Sequence, residues 1–428
     1  MPSIAFHTLG CKLNFAESSD LLRRFVEKGF TETNFHNKAD VYVINTCTVT
    51  QAAESKCRNA IRVAHKLNPK AIIAVIGCFS QVGSDKIAKI DGVNIILGND
   101  NKHFLVDKVL NYQNSSIVEN DVVDISHLRT FYPSFSFDDR TRGFLKVQDG
   151  CDYFCTYCEI PFARGRSRSC TVKEAVHNAQ LLAKQNKKEI VLTGVNIGDF
   201  GIGTDETFFD LVKALDKIED VKRYRISSIE PNLLTKEIID YCRTSRAFMP
   251  HFHIPLQSGS NIVLKAMHRK YLREDFADKV NYIHSIWPEC FIACDVMSGF
   301  NYETDEEFRS AYDFLESLPI AFIHVFTYSE RPNTKASTLG GKIPIYVRRQ
   351  RSEELQKLSE RKKREFYKAH LKYKTTILWE ENNKGGYMYG FSDNYLRCKT
   401  KFDKTKVNQI TEQTLDMLAQ NDDLFIIR

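Results

Sequence analysis

The chain has 428 residues, 43% hydrophobic and 27% charged, a balance that suits packed domains and excludes a disordered chain; at about 150 residues each, about three domains are expected. No apolar run approaches the roughly 18 residues that a membrane span needs, and residues 1–14 lack the build of a signal peptide, so the expectation is a soluble, cytoplasmic protein with no membrane partner. Residues 345–428 carry 18 Lys and Arg against 12 Asp and Glu, so the whole net charge of +6 lies there, which points to a polyanion partner at that end or to a solvated helix face.

The first hundred residues alternate short β-branched runs, at 4–9, 41–46, 71–77 and 94–97, with helical stretches near 17–28 and 52–67. This pattern predicts a parallel sheet with helices on its faces, within an N-terminal domain over 1–115. Residues 116–140 lose the pattern and read as a connection, with turn-rich stretches at 111–116 and 133–139. A second alternation then runs through strands at 144–148, 189–193, 224–228, 251–256, 291–297 and 322–328. Helices fill the gaps at 172–185, 207–217, 234–243, 261–284 (broken) and 305–317. The chain is therefore α/β, with a partial (β/α)6 barrel over 141–344 whose strand ends carry the chemistry. Residues 345–374 read as a basic helical connection, with four consecutive basic residues from Arg361 to Arg364. Strands at 375–379, 387–391, 395–399 and 424–427 predict a small all-β barrel over 375–428.

Twelve cysteines in a reducing compartment point to metal or catalysis rather than disulfides. Cys151, Cys155 and Cys158 form C-x3-C-x2-C directly after the first barrel strand. Three thiolates on one loop can hold three irons of a cubane and leave the fourth open, as a catalytic site requires. Structural zinc and a simple electron carrier each need a fourth ligand, and Cys170 is the only cysteine nearby that could supply one. Tyr153, Phe154 and Tyr157 interleave the thiols and are expected to shield them from water. Cys11, Cys47 and Cys78 each follow a predicted strand of the N-terminal sheet, so they should meet at its carboxyl edge as a second set of three. Cys57 shares a helical face with Ala53, Ala60, Ile61 and Ala64 and reads as core, as do Cys242, Cys290, Cys294 and Cys398.

The C-x3-C-x2-C loop resembles that of the radical S-adenosylmethionine superfamily. Cys11, Cys47 and Cys78, with Asn45-Thr46-Cys47-Thr48-Val49, resemble the N-terminal domain of its methylthiotransferases. The strands after Lys374, with Gly390-Phe-Ser-Asp-Asn-Tyr395, resemble their RNA-binding TRAM domain. The resemblance implies two 4Fe-4S clusters, S-adenosylmethionine on the open iron at Cys151, Cys155 and Cys158, and sulfur insertion from the cluster at Cys11, Cys47 and Cys78. It implies tRNA as partner, a one-electron reductant such as flavodoxin or ferredoxin, and a sulfur source. By motif match it assigns cofactor binding to Tyr157, Gly194, Ser227, Glu230, Gln257, Asp295 and Tyr328. Asn301-Tyr302 and the residues Asn333 and Lys335 depart from the family's Pro and Gly turn positions.

Arg164, Arg166 and Arg168 follow the loop and could grip RNA phosphate or a cofactor carboxylate. Tyr387, Tyr389, Phe391 and Tyr395 offer stacking faces for bases, or core for a small barrel. Ala163-Arg-Gly-Arg-Ser-Arg168 and Asn45-Thr-Cys-Thr-Val-Thr50 look most like the branch that acts on threonylcarbamoyladenosine at position 37, beside the tRNA anticodon. The alternatives are isopentenyladenosine in tRNA, a ribosomal-protein aspartate, and a non-catalytic iron–sulfur or zinc RNA-binding protein.

Overall fold

A computed structural model describes residues 1–113, 117–136, 141–420 and 423–427; the turn-rich stretches expected at 111–116 and 133–139 lie partly outside the described residues, and within the second Ser134–Phe135 is a strand. In the N-terminal part the strands are Ser3–Thr8 (β1), Thr31–Glu32 (β2), Val41–Thr46 (β3), Ile72–Gly77 (β4), Ile95–Leu97 (β5) and Glu119–Asp121 (β6). They pair in parallel in the order β2-β1-β3-β4-β5-β6. Every residue of β3 is buried, as a strand covered on both faces requires. Helices Lys12–Glu27 (α1), Gln51–Leu67 (α2) and Cys78–Ile87 (α3) follow β1, β3 and β4. The last was not expected from the sequence. Its apolar positions are few, and Gly83 inside it is non-helical, which hides the period.

A short strand Ser134–Phe135 (β7) pairs antiparallel with the first barrel strand, Arg142–Lys146 (β8). Gln148–Asp149 (β9) and Arg168–Ser169 (β10) form a small antiparallel ladder that closes the base of the cysteine loop. The barrel continues with Glu189–Thr193 (β11), Arg223–Ile226 (β12), His251–His253 (β13), Phe291–Ser298 (β14) and Phe322–Thr327 (β15). β8, β11 and β12 pair in parallel, as do β13, β14 and β15. Bridges Tyr224 to Phe248 and Ser228 to His253 join the two halves, so the expected open barrel is present. The expected broken helix is two, Asn261–Ala266 and Arg273–Ile286, parted where His268 takes φ 61°.

The charged helix Ile345–Ala369 lies against β15 and is tied to the barrel by its own cations. Arg351 pairs with Glu303 at 2.9 Å, Arg348 with Glu330 at 2.9 Å, and Lys362 Nζ donates to the carbonyls of Glu316 and Leu318. Part of the basic excess therefore holds the fold together rather than facing a partner. Beyond it a curled mixed sheet contains Lys374–Trp379 (β16), Tyr387–Ser392 (β17), Arg397–Lys401 (β18), Ile410–Thr414 (β19), Met417–Leu418 (β20) and Phe425–Ile426 (β21). The order is β19-β16-β17-β18-β21-β20, closed over Ile377, Trp379, Met388 and Cys398. β19 and β20 were not expected, because Ile-Thr-Glu-Gln-Thr offers only one large apolar residue.

This sheet caps the amino end of the barrel. Arg225 donates to the carbonyls of Ser392 and Asp393 at 2.7 and 2.8 Å, and Arg223 to the carbonyl of Thr376 at 2.7 Å. Buried Glu189 accepts from Arg225 at 2.9 Å. Among the described residues, no helix is long and apolar enough to cross a membrane.

Candidate functional site

The C-x3-C-x2-C loop leaves β9 through Gly150, whose φ is 71°. A Cβ there would stand 1.9 Å from the Arg166 carbonyl oxygen, so only glycine fits. Gly150→Ala is expected to cost more than about 2 kcal/mol and to empty the loop of iron, checked by thermal unfolding and iron analysis. Beyond Gly150, each thiol accepts an N–H bond. Tyr153 N reaches Cys151 Sγ at 3.5 Å, Ile160 N reaches Cys158 Sγ at 3.4 Å, and Arg269 Nη1 reaches Cys155 Sγ at 3.2 Å. Burial pushes the Cys158 thiol up to about 12, with Cys155 adding to the rise. Three converging sulfurs with donors aimed at them suit an iron–sulfur cubane, whose negative sulfurs such bonds stabilise. Tyr153 is buried and Tyr157 half-buried beside them, as a water screen needs. Phe154 is a correction: it is exposed and turned to Phe162, with Arg166 over its ring, because its φ of 49° swings it outward. Cys170 is buried in the barrel core with its Sγ 3.6 Å from the Val147 carbonyl oxygen.

The second set stands at the carboxyl edge of the N-terminal sheet. Cys11 precedes α1, Cys47 follows β3, and Cys78 opens α3. Asn14 ties the first two loops together by donating to the carbonyls of Leu9 and Thr46 at 2.7 and 3.0 Å. Thr46 Oγ1 accepts from Phe79 N and Ser80 N, which fixes the start of α3. The thiols lie close enough for the charges of Cys11 and Cys78 to act on Cys47, and burial pushes the Cys47 thiol up to about 12. Asn99 Nδ2 approaches Cys78 Sγ at 3.8 Å. Cys57 is fully buried in the sheet core, near Cys47. The same donor chemistry, three thiols meeting from three separate elements, fits a second cubane with one open iron.

The two sets share a wall. Ile160–Arg164 (α5, the fifth helix after Leu105–Leu110, α4) ends in Arg164, 1% exposed. Arg164 reaches out of the barrel to Asn14 Oδ1 at 2.6 Å and Glu17 at 3.1 Å, and back to Asp149 at 2.9 Å. Its charge also acts on Cys11, Cys47 and Cys78. Lys102 and Lys146 complete a buried network on Glu17 at 2.6 and 2.8 Å. A second seam joins Arg331 to Glu159 at 2.9 Å, to Thr48 Oγ1 at 3.0 Å and to Glu54.

Beside the Arg331 seam lies a cavity of about 240 Å³. Tyr157, Cys158, Gln257, Asp295 and Tyr328 line it, with Thr48 and Val49 from the N-terminal sheet. At neighbouring strand ends, the buried atoms Thr193 Oγ1, Asn196 Oδ1, Ser227 Oγ and Tyr328 Oη have no hydrogen-bond partner among the described residues. Unmatched polar atoms beside the cysteine loop suit a cofactor that brings amino, carboxylate and hydroxyl groups, as S-adenosylmethionine does. Three of the residues matched by motif have partners within the protein, Asp295 among them through His253. Gly194 packs on Gln148, whose Oε1 accepts from Val195 N and Asn196 N, and Glu230 is paired with Arg269. The sequence reading missed Arg269, which also donates to Tyr271 Oη at 2.7 Å and to Cys155. Its only signal was the break in the helical pattern near His268. It also missed His324, stacked on His253 at 5.1 Å, while His253 Nε2 meets Asp295 at 2.8 Å.

The expected RNA contacts need correction. Arg164 and Arg168 are buried and both bond Asp149, so they build the site instead of meeting phosphate. Tyr395 is half-buried at the barrel floor, stacked on Phe391 at 4.7 Å with Arg225 over its ring at 4.9 Å, and offers no free face to a base. Arg166 is exposed beside Asp152. Tyr387 remains exposed on the curled sheet.

Comparison with known proteins agrees with this layout. The model of the uncharacterized protein family UPF0004 matches residues 3–98, and that of the radical SAM superfamily matches residues 145–315. The chain is 38% identical to the threonylcarbamoyladenosine tRNA methylthiotransferase MtaB of Aquifex aeolicus, over 92% of this chain and 96% of that one. It is also 38% identical to the Bacillus subtilis protein of the same name, over 96% and 93%. Among solved structures, the radical S-adenosylmethionine methyltransferase TsrM of Kitasatospora setae superposes with TM-score 0.59 at 14% identity, over 79% of this chain and 75% of that one, a likeness of fold. With two thiol triads placed on one shared wall and full-length likeness of this degree, the chain belongs to the radical S-adenosylmethionine methylthiotransferase family.

Proposed function

We propose that the protein converts N6-threonylcarbamoyladenosine at position 37 of tRNA to its 2-methylthio derivative. The observation that carries this reading is the meeting of Cys11, Cys47 and Cys78 with the Cys151 loop across Arg164, in a chain that matches its curated relatives nearly end to end. When bound, the cofactors supply the hard chemistry: reductive cleavage of S-adenosylmethionine to methionine and a deoxyadenosyl radical, a sulfur atom, and a methyl donor in a second S-adenosylmethionine.

The chain's own residues bind, orient and exclude water. Arg269 sits between Cys155, Tyr157 and Glu230, where its fixed charge offsets that of a loaded loop. Gln257, Asp295 and Tyr328 line the cavity at the strand ends and are assigned to hold S-adenosylmethionine, together with Tyr157 and Ser227. Val49 and Phe326, 58% and 47% exposed at the cavity mouth, offer an apolar platform for a base. The curled sheet is assigned to tRNA, the domain limits follow the sequence reading, and a cytoplasmic flavodoxin or ferredoxin is the assigned one-electron reductant.

Mass spectrometry of tRNA nucleosides from a deletion strain tests the reading. Loss of the methylthio-threonylcarbamoyladenosine peak is expected, and an unchanged peak would remove this substrate.

A further inference from the structure

The floor of the barrel gathers three arginines around one buried acid, with Asp393 of the curled sheet also acting on Arg223. Arg142 of β8 and Arg223 and Arg225 of β12 share the single buried carboxylate of Glu189, at 4.0, 3.6 and 2.9 Å. Glu380 approaches only Arg142, at 3.7 Å. Asp295 is taken up by His253 at 2.8 Å. Ala16 of α1 packs on Phe144 of β8 and Val191 of β11, and one turn before it stands Lys12, the first residue of α1 and the neighbour of Cys11. Its charge acts on Arg142, Arg225 and Tyr395 at the barrel floor, and on His251 and His324 of the wall. Its ammonium has no hydrogen-bond or ion-pair partner among the described residues, and Lys12 and His324 are both exposed. Burial works against ionising the Tyr395 phenol, yet Arg142, Lys12 and Arg225 overcome it and lower its pKa.

An unpaired ammonium facing guanidinium groups is repelled until an anion arrives. We propose that Lys12 binds the carboxylate of the threonylcarbamoyl group and so selects a base carrying that anion over one carrying an apolar isopentenyl chain. The inference rests on the substrate reading above and deepens it. Lys12 stands beside Cys11, assigned to the cluster that donates sulfur, and its charge reaches His324, which stacks on His253 next to Asp295 of the cavity lining. In the proposed pose a base seated against Val49 and Phe326 directs its N6 substituent into the barrel, toward Lys12. An RNA phosphate could supply the same charge, so the test separates the two sources.

Anticodon stem-loops carrying threonylcarbamoyladenosine, or its neutral methyl ester of nearly equal size, are assayed with the iron-loaded full-length enzyme. Wild type is expected to favour the acid in kcat/KM by about 10- to 100-fold. Lys12→Gln and Lys12→Met should shrink that preference to within about threefold, with Lys12→Arg recovering most of it. Iron content and deoxyadenosine release without RNA establish that each variant is loaded. A wild-type preference near unity overturns the proposal without any variant. So does an unchanged acid-to-ester ratio in both neutral variants, or an equal loss on acid and ester, which would assign Lys12 to phosphate. If loaded wild type cleaves S-adenosylmethionine but modifies neither stem-loop, the substrate reading itself falls, a result distinct from the others.

Discussion

Cys151→Ala is expected to abolish deoxyadenosine release in an anaerobic assay with dithionite, whereas Cys47→Ala should still release it and yet form no methylthio product. The difference follows from where the two sulfurs stand. Cys151 shares its loop with Cys155, Cys158 and the Arg269 contact, beside the unmatched polar atoms of the barrel strand ends. Cys47 belongs to the other triad, built on the N-terminal sheet and held by Asn14. Each variant should keep about half of the wild-type iron and sulfide, since each removes one ligand from one cubane only. Continued release by iron-loaded Cys151→Ala, or total loss of iron from Cys47→Ala, would contradict the two-site reading.

The second large effect is structural. Arg164→Ala should destabilise the protein by about 3 to 5 kcal/mol, because it strands buried Glu17 and Asp149 with fewer counter-charges. Arg164→Lys should recover only part, since a single ammonium cannot reach Asn14, Glu17 and Asp149 together. The same network sets a pH dependence. Burial raises the Glu17 and Asp149 carboxyls, but the surrounding Arg164, Lys102 and Lys146 outweigh it and hold both well below their ordinary values. A depressed carboxylate stabilises the fold fully above the ordinary carboxylate range, roughly pH 4, and that stability drains away as pH falls below it. Denaturant unfolding at pH 7 and at pH 3.5 should therefore show a smaller acid loss for Arg164→Ala than for wild type. Equal acid losses would place the sensitivity elsewhere.

Much of the architecture could be read in advance because its signals are local. Parallel strands buried on both faces, such as β3 and β4, announce themselves as unbroken apolar runs, and the helix Asp305–Ser317 falls on the predicted residues. The cysteines were legible because strand order forces carboxyl ends to one edge, whatever the side chains do. What escaped notice depends on tertiary contact. Arg164 and Arg168 look like a basic surface motif in sequence, and only the folded chain shows Asp149 waiting between them. Tyr395 looks like a base-stacking residue until its left-handed backbone and the Arg225 guanidinium place it at the barrel floor. Lys12 drew no attention, since one lysine after a cysteine has no periodicity to betray it.

The way Arg223 and Arg225 grasp main-chain oxygens of the curled sheet has a consequence for engineering. Those two guanidinium groups spring from a barrel strand, and the carbonyls of Thr376, Ser392 and Asp393 are what they hold. The terminal module is thus the bottom plate of the catalytic vessel. Clipping it off would open the vessel from below and leave three arginines crowding one glutamate. A transplanted module from another protein would work only if it offered the same carbonyls at the same places.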